Sequence, residues 1–441
     1  MASKQGSSQS APLNPITTKY DFFGPPGAFL ISATVPPIIY ALYFGCSEST
    51  GGCPPPMALA ALKDRVLSAL QDPSWWKSLW DTEATVMYLG FYAFCVLAWA
   101  ILPGDWVNGT PLRTGGNIKY KINAFSTYLL TMGIVTGLIY RDGPQAFTFI
   151  YEKWIGFVTA AVLMSIFQAT VCYLASFRPG AILALGGNSG NIIYDWYIGR
   201  ELNPGIGSFD LKAFNEIRPG LILWALLDIG MLCEQAVRRG GFSNVTDSMW
   251  VVFTFQMWYI VDALYNEPGI FTMMDITTDG FGFMLSVGDL AWVPFTYSLQ
   301  ARYLAFHHVE LGLWGTIGVV AVKALGYYIF HDANSEKNNF RNGSNPKNLK
   351  SMDTKRGTKL LISGWWGLCQ HPNYLGDLLM ALSWSLATGF DTPITYFYPA
   401  YFTVLLIHRQ MRDDEACQAK YGDDWKKYKQ LVPSKIFPYI Y

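Results

Sequence analysis

Ten apolar runs recur along the chain, most of them near the roughly 20 residues a helix needs to cross a bilayer. They fall at Phe29–Gly45, Ala84–Leu102, Ile122–Tyr140, Trp154–Ser176, Leu221–Val237, Met249–Tyr265, Trp292–Phe306, Leu311–Phe330, Tyr374–Gly389 and Thr395–His408. Lipid offers no partners to backbone N–H and C=O groups, so such runs must be helices. The pattern predicts an all-α, polytopic integral membrane protein with about ten transmembrane helices; the stretch Phe281–Trp292 could dip without crossing. Only 15% of the 441 residues are charged, against about 25% in an ordinary soluble domain, which fits the same reading.

Charge is informative here only by position, because the formal net charge is zero. That balance gives no global basic surface for nucleic acid. Basic residues concentrate at Lys337–Lys359 and again at Lys420–Lys435, and the positive-inside tendency places both segments in the cytosol. Residues 1–20 read as a polar tail without the apolar core of a cleaved signal peptide, and residues 21–441 as one membrane domain. Of seven cysteines, five lie in or beside apolar or cytosolic segments without CxxC spacing, which argues against a metal site. Cys46 and Cys53, in a Gly/Pro-rich loop after the first run, are the pair able to form a disulfide.

Polar residues at membrane depth are costly and usually mark a ligand. The stretch Leu360–Asp377, LLISGWWGLCQHPNYLGD, puts two tryptophans, a histidine and an Asn-Tyr pair at the mouth of an apolar helix. Upstream, Lys337 and Arg341 are four apart, so on a helix they project from one face toward one anion, a pairing suited to phosphate. In LLIHRQMRDDEACQAKYGDDW, Arg409 and Asp413 are also one turn apart and Tyr421 follows two turns later, so one face could hold all three; a surface ion pair is the competing reading.

Two further blocks carry polar groups into apolar surroundings. Gly186–Trp224 has the Gly, Asn and Pro content of a loop entering a membrane cavity, but GGNSGN lacks the spacing of a dinucleotide fingerprint. Met257–Leu304 contains Tyr259, Asp262, Glu267, Asp275, Asp279 and Asp289; burial would favour neutral, proton-donating carboxyls, although Asp275 and Asp279 equally suit helix ends in water. The chain has no evident Ser-His-Asp arrangement, and its five histidines are too scattered for a metal cluster.

Taken together, IYDWYIGRELNP, DGFGFML with DLAWVPFTYSLQA, SGWWGLCQHPNYLGDLLMALSWSL, and HRQMRDDEACQAKYGDDW through VPSKIFPYIY resemble the sterol reductase family. That family includes delta-14 and delta-7 sterol reductases and the lamin B receptor, and the wording of GRELNP and IGSFDLKAF looks closest to its fungal delta-14 branch. The resemblance implies a ten-helix protein of the endoplasmic reticulum membrane that uses NADPH to reduce a ring double bond of a sterol. It also implies that Lys337 and Arg341 hold the 2′-phosphate and that Leu361, Trp366, Asn373, Tyr374, Arg409, Asp413 and Tyr421 line the rest. Most of the pocket would then come from residues 331–441. An isolated alkene accepts hydride poorly, so one carbon must first be protonated; the resemblance points to Tyr259 as proton donor, with Asp413 as partner or relay. The partners so implied are a sterol and the bilayer, with neither metal nor nucleic acid.

The family motif usually reads RHPNYLGD and NPR, whereas Gln370 and Gly205 stand here in place of two arginines. Gln lacks the charged fork of Arg, which points to altered cofactor affinity or to a paralogue tailoring a modified steroid by reduction or isomerisation. A membrane methyltransferase of the isoprenylcysteine type shares an HPxY motif but would need no phosphate-binding Lys337 and Arg341. A lamin B receptor-like scaffold would carry a large basic module ahead of KYDFFGPPGA, and only about twenty residues precede it.

Overall fold

A computed structural model describes residues 12–50, 52–53 and 59–441. The first eleven residues of the expected polar tail lie outside the described residues. The remainder is docked: the Asn14 side chain donates to Ala181 O at 2.9 Å and accepts from Leu183 N at 3.0 Å, and Thr17 Oγ1 donates to Leu185 O at 2.8 Å.

Among the described residues, five helical segments are long and apolar enough to cross a membrane: Gly24–Gly45, Pro73–Ile101, Trp154–Ala175, Leu211–Arg239 and Gly312–Arg341. Large apolar side chains stand outward on them, with Leu313 69% and Trp314 81% exposed, an arrangement that suits lipid and not water. The protein is therefore a mostly helical membrane protein. The other runs are helical too, but shorter or more polar: Ala124–Asp142, Asp247–Tyr265, Pro372–Leu386 and the start of Phe397–Tyr421. The run at Trp292–Phe306 is not one helix. A π-helical turn, Gly288–Trp292, leads into Val293–Tyr297 and then Leu299–Phe306. Pro294, which lacks an N–H, enters at the start of the second piece, where that loss costs least. Among the described residues, three two-stranded antiparallel ribbons interrupt the all-α pattern, pairing Asp105–Pro111 with Asn117–Ile122, Gly205–Ile206 with Phe209–Asp210, and Ser351–Asp353 with Lys359–Leu361.

The chain divides into two compact units, residues 1–244 with 256–298, and residues 245–255 with 299–441. In the first, the Pro219–Arg239 helix is central and almost wholly buried. Capping follows from local sequence: Asp81 accepts from Ala84 N at 2.9 Å and Asp210 from Ala213 N at 2.8 Å, each satisfying an otherwise orphaned donor of a helix start. The two polar blocks of this unit meet backbone to backbone. Phe281 N donates to Glu201 O at 3.0 Å, and Trp196 stacks on Phe283 at 4.8 Å. Directly after the Gly24–Gly45 helix, Cys46 and Cys53 form a disulfide.

The second unit is built on the Gly312–Arg341 helix packed against Pro372–Leu386. Two glycines allow the close approach. A Cβ on Gly376 would lie 2.6 Å from Phe330 N, and one on Gly326 would lie 2.7 Å from Gly376 O and 2.8 Å from Met380 N. Advancing from 376 to 380 on one helix thus runs back from 330 to 326 on the other. The pair is antiparallel, and the contact is of the small-residue kind used where lipid provides no hydrophobic drive between helices.

Candidate functional site

Because the two helices run antiparallel, the start of the second lies beside the end of the first. His371, Asn373 and Tyr374 are thereby brought toward the turn of helix that carries Ala333 and Lys337. The indole of Trp366 fixes this end: its Nε1 donates to Ala333 O at 2.8 Å, and the Lys337 ammonium sits over its ring at 4.2 Å. An ammonium on an aromatic face is attracted by the ring quadrupole. Arg341 follows one turn later on the same helix.

The loop between these helices is held by a carboxylate that nothing in the residue order singles out. Glu336 is 6% exposed and accepts from Trp365 N at 3.1 Å and from Lys347 Nζ at 3.2 Å. Lys347 also donates to Asp332 at 2.6 Å, and Trp365 Nε1 reaches the same carboxylate at 2.7 Å. These contacts span eleven to thirty-three residues, well beyond any helical period. Their effect is to pin Gly364–Trp366, and with it the ring beneath Lys337. The Lys359–Leu361 strand beside this loop buries Leu361 to 7% exposure.

Arg409, Asp413 and Tyr421 all lie on the Phe397–Tyr421 helix. The Tyr374 hydroxyl donates to Asp413 Oδ2 at 2.9 Å, and Arg409 acts electrostatically on the same hydroxyl. Tyr421 packs on a small buried cluster of Trp425, Tyr428 and Val432, with the Lys420 ammonium 5.1 Å from its ring. His371 stacks on Tyr374 at 4.7 Å with the rings nearly parallel. Burial holds the His371 imidazole down to about 4, with Lys337 adding repulsion and Asp413 and Asp414 opposing.

An unfolded histidine titrates near 6.5, so as pH falls the unfolded chain takes up this proton first. The contribution is complete above about pH 6.5 and is lost as pH drops toward 4. Melting temperature in detergent should therefore fall across that window, and the dependence should flatten in His371→Asn; an unchanged slope would remove His371 as its source.

Gln370 does not face the site as a free donor in place of an arginine. Its Nε2 donates to Val432 O and its backbone N to Ser434 O, each at 2.9 Å, and His371 N donates to Lys435 O at 2.9 Å. It straps the C-terminal segment onto the turn before the Pro372–Leu386 helix. Gly205, the other departure, pairs with Asp210 in a tight ribbon where a Cβ would meet Phe209 O at 2.3 Å. As the ribbon is built, no side chain fits there.

Tyr259 belongs to the first unit and Asp413 to the second. Tyr259 packs beside Trp224, ring centres 5.9 Å apart, and Trp224 Nε1 donates to Gln256 Oε1 at 3.3 Å. The acids expected as buried proton donors are not alike. Glu267 is 1% exposed and paired with the Arg218 guanidinium at 2.7 Å, while its Oε2 accepts from Ala124 N at 2.8 Å. Burial raises the Glu267 carboxyl, as expected, while the Arg218 guanidinium opposes that shift, so Glu267 is a buried acid that also ties elements together. Asp279 places its backbone carbonyl on the buried Lys212 ammonium at 2.7 Å. Among the described residues no group of three His, Cys, Asp or Glu converges as a metal site.

The chain matches the ergosterol biosynthesis ERG4/ERG24 family over residues 16–441. It belongs to that family. Among similar proteins, the delta(14)-sterol reductase erg24 of Schizosaccharomyces pombe is 47% identical, with 96% of this chain and 97% of that protein covered. ERG24 of Candida albicans, also named a delta(14)-sterol reductase, is 45% identical over 98% of this chain and all of its own length. The Saccharomyces cerevisiae protein of the same name is 48% identical over 82% of this chain and 85% of its own. The ERG4/ERG24 family is the one the HPNYLGD and GRELNP motifs pointed to.

Proposed function

We propose that this chain is an NADPH-dependent delta-14 sterol reductase of ergosterol-type sterol synthesis, working in the endoplasmic reticulum membrane through about ten spans. The observation that carries the reading is the 45–48% identity to three delta(14)-sterol reductases over 82–98% of the chain. The names of these relatives give no support to the methyltransferase alternative.

The residues of the second unit suit the cofactor. Lys337, held over Trp366, and Arg341 one turn on provide two cations for a 2′-phosphate. Asn373 keeps a buried Oδ1 without a hydrogen-bond partner among the described residues, as expected of an atom reserved for a ligand. Leu361 and Trp366 supply an apolar wall, and Tyr374, Arg409, Asp413 and Tyr421 its polar part. Residues 331–441 thus form most of the pocket in a reductase domain covering 21–441, and NADPH, when bound, supplies the hydride.

What remains for the protein is the proton. Tyr259 donates it from its phenolic oxygen to one alkene carbon, leaving the tertiary neighbour electron-poor. A phenol with a free pKa near 10 is a weak acid for this task, so the phenolate it leaves must be stabilised and reprotonated before the next turnover.

Expression in a sterol-synthesis mutant lacking delta-14 reduction, followed by sterol profiling, tests the reaction: the 8,14-diene should disappear and its 14,15-reduced product accumulate. Persistence of the diene alongside intact NADPH binding would overturn the delta-14 assignment. Tyr259→Phe should lower kcat by about 100-fold or more, the scale of a lost general acid, while cofactor affinity stays near wild type. Full turnover in that variant would remove Tyr259 as proton donor.

A further inference from the structure

Two glutamines that the family resemblance does not assign to the cofactor carry unspent hydrogen-bonding capacity at the site. Gln410 is 1% exposed and Gln370 is 4% exposed. Gln410 accepts from the Tyr441 hydroxyl at 3.2 Å through Oε1, while its Nε2 has no hydrogen-bond partner among the described residues. Gln370 spends Nε2 on Val432 O, and its Oε1 likewise lacks one. A buried amide atom left unpaired is costly, so these two, with Asn373 Oδ1 also unspent in the same unit, call for a ligand that satisfies them.

Their placement is set by one strap of chain. Gln370 and His371 hold Ser434 and Lys435 by backbone hydrogen bonds of 2.9 Å, Lys435 Nζ reaches the Tyr441 hydroxyl at 3.3 Å, and that hydroxyl donates to Gln410. Gln410 lies three residues before Asp413 on one helix, and Gln370 lies four before Tyr374, whose hydroxyl holds Asp413. Both glutamines therefore flank the Tyr374–Asp413 bond. The unspent atoms are one donor and one acceptor. If the two amide atoms of Gln410 exchange, Tyr441 can still pair with it, as donor or acceptor, and one amide atom stays unspent.

We propose that Gln370 and Gln410 recognise the carboxamide of the nicotinamide ring. The proposal rests on the NADPH reading above. A carboxamide offers one carbonyl acceptor and two N–H donors, so its carbonyl takes the Gln410 N–H and its amine reaches Gln370 Oε1. Neither residue touches the reacting carbon; both are positioning residues that set the ring's rotation and hence the direction in which hydride leaves.

The test uses the full chain in detergent and equilibrium binding of three probes: NADPH, its 3-acetylpyridine analogue in which a methyl ketone replaces the carboxamide, and 2′-phospho-ADP-ribose, which lacks the ring. Wild type should prefer NADPH to the acetylpyridine analogue by about 10-fold, the scale of one buried hydrogen bond. Gln370→Met, which removes the acceptor for the carboxamide amine, should bind NADPH and the analogue alike and hold 2′-phospho-ADP-ribose as wild type does. Gln410→Met, which removes the N–H to the carbonyl that both ring probes carry, should weaken the two equally, by about 10-fold, and leave 2′-phospho-ADP-ribose unchanged; Gln410→Glu, which keeps an oxygen for Tyr441, should do the same. Tyr441→Phe, which removes the strap contact and leaves the amide, should bind all three as wild type does. The idea is overturned if Gln370→Met retains the preference, if either glutamine variant weakens all three probes equally, or if Tyr441→Phe reproduces the Gln410→Met effect. Failure of wild type to bind any of the three would sink the NADPH reading itself.

Discussion

A Gly376→Leu chain should not reach the folded state in detergent, and Gly376→Ala should fold with a lowered melting temperature. Any Cβ at this position stands 2.6–2.7 Å from backbone atoms of Phe330 and Gly326. Backbone cannot rotate away as a flexible side chain can, so the helices must separate. Overpacking of this kind costs about 1–3 kcal/mol for small additions and more for large ones. The effect is not confined to stability, because the crossing sets the register that brings Asn373 and Tyr374 toward Lys337. Gly376→Ala should therefore weaken NADPH binding as well as lower the melting temperature. A stable alanine variant with wild-type affinity would show that the close crossing is dispensable.

The second large effect concerns the two cations. Lys337→Ala or Arg341→Ala is expected to reduce kcat/KM with NADPH by about 10- to 100-fold each, the scale of a lost charge-assisted hydrogen bond of roughly 1.5–3 kcal/mol. Activity with NADH should change far less, because NADH has no 2′-phosphate to lose. The ratio of the two specificity constants is the readout, since damage to the fold would lower both together. Equal losses with both nucleotides would refute the phosphate role. Arg341→Lys should recover only part of the preference, a point charge replacing a fork that binds two oxygens.

Much of this was legible from residue order because the governing forces are local. Unbroken apolar runs specify helices in lipid, and the five segments long enough to span each contain a run read from the sequence, extended by leading turns at Pro73 and Leu211 and by three polar turns beyond Phe330 to Arg341. Lys337 with Arg341, and Arg409 with Asp413, were visible because one helical turn is a fixed spacing. The breaks near Trp292 were not, since a π turn has no compositional signature. Glu336 reads as one acid in a charged loop, and its meaning lies in Trp365 and Lys347, which only folding brings to it. Gln370, set beside the family motif, reads as a lost arginine; that its amide grips Val432, sixty-two residues away, has no signal in the linear order. Glu267 reads as a buried acid from its surroundings and is one, but its partner Arg218, forty-nine positions earlier, is invisible in the linear order.

The Cys46–Cys53 bond carries information about direction as well as constraint. Disulfides persist in oxidising compartments and are reduced in the cytosol, so an oxidised pair directly after the Gly24–Gly45 helix marks which way that helix threads the bilayer. Such a loop is expected on the oxidising face of a membrane, which would start the segment entering the helix from the opposite leaflet. This compass is independent of the lysine-rich stretches that were assigned to the cytosol by charge. The bond thus closes the loop that directly follows the first candidate span.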